Sequence, residues 1–230
     1  MLVSEEKREC QGYFGMKTPV LVPSGVERPW LRSSLFLKRC IDLIGSAALI
    51  LLLSPLFGFI AILVMLDDNF PVIYRRRVVS RHGSFDAFKF RSMRRNADAI
   101  LESDPALLAE FERNFKLKND PRVTRVGSFL RKSSLDELPQ LINILVGQMS
   151  FVGPRMITAQ ELEKYGEYKN LVLSVKPGLT GYWQVNGRQT VSYGERVKMD
   201  ASYIGNWSLA LDLKILILTP FKVLKKEGAF

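Results

Sequence analysis

The sequence predicts an α+β fold: a mostly helical, membrane-associated domain with a small sheet, an N-terminal re-entrant membrane helical hairpin and interfacial amphipathic helices. Three observations carry this reading. An uncharged apolar run extends from Leu43 to Leu66 and is interrupted near its centre by Ser54-Pro55. Cations flank that run on both sides. The chain beyond it is long enough for one domain of about 150 residues with its own core, and its segments are mainly of helical period with two short β-rich runs.

Residues 1–33 form an N-terminal arm in which charges alternate with Gly12, Gly15, Pro19, Pro23, Gly25 and Pro29, a composition suited to extended chain. The hairpin occupies 34–69. Its apolar run reaches roughly 36 Å at about 1.5 Å per residue, more than a hydrocarbon thickness of about 30 Å, so a plain span is physically open. Pro55, however, has no N–H, and its ring clashes with the carbonyl of Leu51, a defect of about 3 kcal/mol in a helix interior. In hydrocarbon that carbonyl cannot turn to water. The Ser54 hydroxyl is the local group able to satisfy the freed backbone, and a bend there returns the second arm to the leaflet it came from. Lys38 and Arg39 precede the run, and Arg75, Arg76, Arg77 and Arg81 follow it. The positive-inside bias thus places both ends on the cytoplasmic side, which one crossing does not satisfy. A Pro-kinked spanning helix is the alternative. A cleavable signal peptide is disfavoured, because the run starts late, is long, and has no small-residue cleavage pattern after it.

Asp67, Asp68, Asn69 and Pro71 end the helix. Val72–Tyr74 and Phe85–Phe90 read as short strands around an Arg81-His82-Gly83 turn. Residues 96–118 are helical in pattern, restarted at Asp104-Pro105, with Leu107, Leu108, Phe111 and Phe115 on one face. Another helix begins near Ser134, a third covers about Thr158 to Tyr168, and 176–188 reads as a structured loop with a short strand. Trp207–Lys226 combines Leu209, Leu213, Leu216 and Ile217 with Lys214, Lys222, Lys225 and Lys226. That is the profile of an interfacial helix, with a core-facing amphipathic helix as the alternative.

The net charge of +10 is unevenly placed: between Arg75 and Arg95 eight Lys/Arg face only Asp86, which is +7 of the total. Beside a membrane segment such a patch suits anionic headgroups or polyanionic phosphates, and a solvated surface is the plain alternative. Nucleic acid is not expected as a partner, since no binding module is recognisable. Cys10 and Cys40 make neither a metal spacing nor a disulfide framework. His82, the only histidine, lies among arginines, so chemistry built on a His base is disfavoured and carboxylates come forward.

The densest segment runs from Leu130 to Leu141. Ser134 and Glu137 match a capping box ahead of the apolar run Leu141–Val146, which alone is structural. Pro139 suits a first helical turn and sets Asp136 and Glu137 at a helix start, where an ionised carboxylate or a phosphate is favoured. Adjacent carboxylates also allow one to attack phosphorus while the other takes Mg2+. Arg131 precedes the pair, Gly153-Pro154-Arg155 presents a guanidinium on a turn, and Lys89-Phe90-Arg91 adds cations at a strand end. Anion clamps, a carboxylate nucleophile and a metal are the parts of phosphoryl transfer. No Walker loop or kinase signature is present.

These residues, with Ser54-Pro55, Lys89-Phe90-Arg91-Ser92-Met93, Asn119-Asp120-Pro121-Arg122, Pro177-Gly178-Leu179-Thr180-Gly181, Gln184-Val185-Asn186-Gly187-Arg188, Asp200 and Tyr203, resemble the bacterial sugar transferase family from about Leu35 to Phe230. These are monotopic polyprenyl-phosphate sugar-1-phosphate transferases, and the galactose-type members look nearest. The resemblance implies that 70–230 is a cytoplasmic phosphoglycosyl transferase catalytic domain at a bacterial inner membrane. Asp136 would attack the β-phosphorus of a UDP-sugar, galactose favoured, releasing UMP, and undecaprenyl phosphate would take the sugar phosphate. Glu137 would bind Mg2+ or orient the phosphates. Lys89, Arg131, Arg155 and Asp200 match other catalytic positions, while Arg91, Gln184, Asn186 and Arg188 match substrate-binding ones. The re-entrant hairpin, broken at Ser54 and Pro55, would set the site at headgroup level among membrane lipids. A homodimer is left open. Met156 stands where the family often has a second proline, which implies a looser turn, and only the short arm stands where larger galactose-type relatives carry spanning helices and a further domain. The non-enzymatic alternative is a basic membrane-surface scaffold, which has no use for Asp136-Glu137.

Overall fold

One helix, α1 (Pro29–Asp68), carries the whole apolar run and continues through Pro55. The computed structural model describes residues 29–114, 117, 119–186 and 191–224. Most of the expected arm (1–28), as well as Phe115, Lys118, Arg188, Lys225 and Lys226, lies outside the described residues. Where two arms were expected over 34–69 there is a single helical element that already begins at Pro29, a residue suited to a first helical position. The reason lies at the break itself. Ser54 Oγ donates to the Leu51 carbonyl at 2.8 Å, the acceptor that Pro55 leaves without a partner, so the helix need not open there.

After α1 come β1 (Ile73–Ser80) and β2 (Gly83–Phe90), then α2 (Ala97–Glu102), α3 (Pro105–Asn114) and α4 (Arg125–Ser133). A 3-10 turn at Leu135–Glu137 leads into α5 (Gln140–Leu145), β3 (Ser150–Val152) and α6 (Ala159–Glu163). A second 3-10 turn, Gly166–Tyr168, precedes α7 (Lys169–Leu173), β4 (Gly178–Thr180), α8 (Tyr182–Asn186), α9 (Tyr193–Gly205) and α10 (Leu209–Leu224). β1 and β2 form an antiparallel hairpin with Arg76 opposite Ala87, while β3 and β4 pair in parallel with Val152 opposite Thr180.

The first strand is longer than the Val72–Tyr74 expected, because Arg76 is not a loop residue: it turns inward to Glu161 at 2.7 Å. The helix restart at Asp104-Pro105 forms as read, with Asp104 Oδ1 accepting from the N–H of Ala106 and Leu107. The helix expected over Thr158–Tyr168 is divided at Gly166, whose φ is +52°. Four helices, α4, α7, α8 and α9, were not anticipated, and α8 takes up part of 176–188, expected to be a loop with a short strand, where Tyr182, Trp183 and Val185 are buried.

The core gathers Val78, Ala87, Leu141, Ile144, Met149 and Ile215, each at most 1% exposed. A second cluster seats the later part of α1, through Ile60 and Val64, on Phe90 and Leu130. Burying each such side chain contributes about 1.5–3 kcal/mol, and Leu130→Ala removes about 2–5 kcal/mol with the cavity it leaves.

The first part of α1 is tied to the same body: Lys38 Nζ meets Asp212 at 2.5 Å and the Val152 carbonyl at 2.8 Å, and Asp42 Oδ1 accepts from Phe151 N–H at 2.9 Å. At the other end Arg91 Nη2 donates to the carbonyls of Asp68 and Asn69, each at 2.6 Å. Elsewhere α1 exposes Ile44, Leu51, Leu52 and Leu66. Among the described residues it is the one helix long and apolar enough to cross a membrane, and it is compatible with membrane association. α10 buries Asp212 and Ile215 while leaving Leu213, Ile217 and Phe221 exposed at four-residue spacing, so one apolar stripe faces outward and the other face packs.

Candidate active site

Ser134 closes α4 rather than opening α5. Its φ is +57°, its N–H returns to the carbonyls of Arg131 and Leu130, and its side chain makes no cap bond. The capping box read at Ser134 and Glu137 is therefore absent. A left-handed residue followed by a 3-10 turn leaves both carboxylates of Asp136 and Glu137 free to face the strand β2. There Asn143, fully buried, clamps β2 by accepting from Phe88 N–H at 3.0 Å and donating to the Asp86 carbonyl at 2.8 Å. The clamp sets Lys89 beside the dyad: its Nζ lies 2.7 Å from Glu137 Oε1 and 3.8 Å from Asp136 Oδ2.

Arg155 comes from the segment after β3 and reaches the same Glu137 oxygen at 3.5 Å. This segment runs against β4 with no room for side chains, since a Cβ on Gly178 would stand 2.1 Å from the Gly153 nitrogen. The looser turn expected at Met156 is not found. Arg155 bridges to Gly178, and Met156, 3% exposed, fills the core.

The two carboxylates are driven apart. Burial opposes ionisation of Glu137, but Lys89 and Arg155 outweigh it and hold its carboxyl down to about 2. Burial pushes Asp136 up, and the neighbouring Glu137 charge adds to the rise against the pull of Lys89, Arg131 and Arg155. A third carboxyl, Asp200, is 1% exposed. Tyr165 OH donates to its Oδ2 at 2.9 Å and its Oδ1 has no partner, and burial raises it to about 7 against Tyr165, Arg155 and Arg196.

Asp136, Glu137, Lys89, Arg131 and Arg155 line one open cleft of about 1780 Å³, and Arg91 and Gln184 also reach it. Arg91 is spent largely on the end of α1, yet its Nε and Nη1 are buried without partners. Asp200 sits behind the wall with Tyr165. Asn186 donates back to the Tyr182 carbonyl of its own helix at 2.8 Å. Arg188 lies outside the described residues.

Residues 33–226 match the family described as bacterial sugar transferase. The chain belongs to this family. It is 48% identical over 204 residues to the undecaprenyl-phosphate galactose phosphotransferase of Salmonella typhimurium, covering 86% of this chain and 43% of that protein. The exopolysaccharide production protein ExoY of Rhizobium meliloti is 45% identical over 198 residues, 84% of this chain and 88% of its own length. The UDP-glucose:undecaprenyl-phosphate glucose-1-phosphate transferase of Escherichia coli is 39% identical over 216 residues, 90% of this chain and 43% of its own. The chain thus spans less than half the length of several of these bacterial sugar transferases.

Sequence reasoning missed several residues of this bacterial sugar transferase site. Trp183 lies between the guanidinium groups of Arg155 and Arg196, at 5.9 and 4.7 Å from its ring, and Glu161 anchors Arg76. Signals for these existed. Thr158-x-x-Glu161 and Ser192-x-x-Glu195 both form true capping boxes, and they place α6 and α9 against the cleft.

Proposed function

We propose that the chain transfers a sugar-1-phosphate from a UDP-sugar to undecaprenyl phosphate, giving undecaprenyl-diphospho-sugar and UMP, as an early membrane step of polysaccharide or O-antigen assembly. The observation that carries this is the dyad: a buried aspartate and a half-buried glutamate in different electrostatic states, ringed by Lys89, Arg131 and Arg155 in one cleft. Asp136 Oδ attacks the β-phosphorus, and the bond from that phosphorus to the bridging oxygen breaks. The oxygen leaves with UMP, and the sugar phosphate stays on the enzyme as an acyl phosphate. An oxygen of undecaprenyl phosphate then attacks the same phosphorus and expels the Asp136 carboxylate. Lys89, Arg131 and Arg155 hold the phosphoryl oxygens and balance their charge. Gln184 lines the cleft, and Asp200 lies behind its wall.

The donor set fits Mg2+. This ion takes one or two protein carboxylates and completes its shell with phosphate oxygens and water, and no larger acidic, His or Cys cluster occurs among the described residues. Glu137, kept ionised, would hold it. When bound it neutralises the diphosphate charge, and chelation should therefore stop UMP release.

The 70–230 segment acts as the catalytic domain, at the cytoplasmic face of a bacterial inner membrane. Support for a re-entrant α1 comes from its two ends, since Lys38 and Asp42 near the start and Asp68 at the finish bond to one body. A perpendicular crossing would leave only one end beside that body, whereas a re-entrant path needs α1 to kink at Pro55 while staying helical. The cleft also has an apolar end lined by Leu49, Leu138, Leu179 and Leu216, where a polyprenyl chain would enter between α1 and α10. Galactose is favoured as the sugar by the 48% identity to a galactose phosphotransferase against 39% to a glucose one. A basic scaffold would have no use for a buried dyad.

The test is intact-mass measurement after incubation with UDP-galactose and Mg2+ without acceptor, followed by UMP release with a panel of UDP-sugars and undecaprenyl phosphate. A hexose phosphate adduct on the wild type and none on Asp136→Asn is expected; full turnover by the Asn variant would sink the assignment. For topology, single cysteines at Ser33→Cys and Ser80→Cys, with Cys10 and Cys40 removed, should both be shielded from an impermeant thiol reagent in intact cells. Labelling of just one would establish a true span.

A further inference from the structure

Arg131 is held at the cleft by two residues that have no role so far. Its Nε donates to Ser92 Oγ at 2.8 Å, and Ser92 is 7% exposed. The helix α4 comes this close because of Gly127: a Cβ there would stand 2.0 Å from the Ser92 carbonyl oxygen and 2.7 Å from its Cα. Gly127 and Arg131 are four residues apart and share a helix face, so contact of one with the Ser92 backbone brings the other to its side chain. The junction is fixed further by Thr124 N–H donating to the Ser92 carbonyl at 3.2 Å and Arg94 N–H to the Arg122 carbonyl at 2.8 Å. Thr124 in turn caps α4, its hydroxyl accepting from Gly127 N–H at 2.9 Å.

A guanidinium presents five N–H donors in a fixed fork. With Nε committed to Ser92, the two Nη nitrogens remain, and these can grip two oxygens of one phosphoryl group together. We propose that Ser92 is a positioning residue that turns Arg131 so that both Nη nitrogens face a phosphoryl group bound beside Asp136, with Gly127 the residue that lets α4 approach. The proposal rests on the phosphoglycosyl transferase reading and adds to it a part for the serine of Lys89-Phe90-Arg91-Ser92. The phosphoryl group belongs either to the donor diphosphate or to the lipid acceptor, which offer the same chemistry.

The experiment is a double-mutant cycle on the detergent-purified full chain: wild type, Ser92→Ala, Arg131→Ala and the double variant. Initial rates give kcat and KM separately for UDP-sugar and undecaprenyl phosphate, and calorimetry gives dissociation constants for UDP and for a short-chain polyprenyl phosphate. Ser92→Ala should lower kcat/KM about 10-fold in the wild type and less than about twofold once Arg131 is absent, since coupled residues are non-additive. The substrate whose KM and dissociation constant carry the coupling is the one Arg131 grips. Ser92→Thr keeps the acceptor and should recover activity to within about threefold of wild type. Equal losses in both backgrounds, in rates and in both dissociation constants, would overturn the proposal and leave Ser92 a packing residue. If the wild type released no UMP from any UDP-sugar the catalytic reading would fall, while the binding cycle would still decide the Ser92–Arg131 coupling.

Discussion

Two regions bury carboxylates beside cations, and they finish the job differently. Near the start of α1, Asp212 accepts from Lys38 at 2.5 Å, Tyr203 OH at 2.7 Å and Trp207 Nε1 at 3.1 Å. Asp42 accepts there from Ser150 Oγ at 3.1 Å and Phe151 N–H at 2.9 Å. In the cleft Asp136 has Lys89 only at 3.8 Å, beyond hydrogen-bond reach, and Gln184 Oε1 and Trp183 Nε1 there, with Asp200 Oδ1 behind the wall, are buried without partners. A satisfied network fixes one packing, whereas buried capacity left unused is what a ligand can complete. The first region is complete in itself, and the second leaves polar capacity open beside Lys89, Arg131 and Arg155.

The largest expected effect tests that division directly. Asp136→Asn should lower UMP release by about 10⁴-fold or more, on the scale of removing a nucleophile, without lowering the thermal midpoint at neutral pH. The sign follows from the raised carboxyl of Asp136: the folded protein holds this proton more tightly than the unfolded chain, so ionisation costs stability that an amide does not lose. Lys38→Met should behave in the opposite way. Leaving Asp212 buried without its ammonium costs about 3–5 kcal/mol, read as a lower denaturation midpoint, while the KM of the fraction that remains folded stays near wild type. A large specific KM change in Lys38→Met would erase the distinction between the two regions.

The same contrast explains what could be read from the chain. Among the described residues the S/T-x-x-E pattern occurs at 134–137, 158–161 and 192–195. It makes a capping box at the second and third and fails at the first, where Ser134 instead takes φ +57° and frees Asp136 and Glu137. Local rules break where the site needs them to. Lys89, Arg131 and Arg155 were legible as cations, yet their convergence on one dyad depends on Asn143, Gly127 and Gly178, whose roles are close approaches between distant segments. The long apolar helix was legible from composition, but not its continuity through Pro55, which one hydroxyl decides. α4 escaped notice because it is only nine residues long and its buried face is made by Gly127 and Leu130, while the large apolar Phe129 is exposed.

Glu137 offers a smaller effect with a defined pH window. Its carboxyl sits at about 2 instead of the ordinary 4.5, so the stability it contributes is present above about pH 4.5 and is lost as pH falls toward 2. Glu137→Gln should therefore have a lower thermal midpoint than the wild type at pH 6, and the gap should narrow steadily at pH 4 and pH 3. A gap independent of pH would mean that Lys89 and Arg155 do not act on the charge of Glu137.

The smallest effect expected is at Asp200, where the sign reverses. Burial raises this carboxyl to about 7 from 3.8, so the folded protein retains a proton that the unfolded chain gives up between about pH 4 and 7. The stability linked to that proton is present below about pH 4 and is lost by the time pH has risen through 7. Asp200→Asn keeps an acceptor for Tyr165 OH and has nothing to ionise. Its thermal midpoint relative to the wild type should accordingly rise between pH 5 and pH 7.5 by a few degrees, at about 2–4 °C per kcal/mol for a chain of this length. A midpoint difference that stays the same from pH 5 to pH 7.5 would show that ionisation of Asp200, with its unpartnered oxygen, makes no difference to the folded protein, and the contrast between the two regions would then reduce to their distance from the cleft.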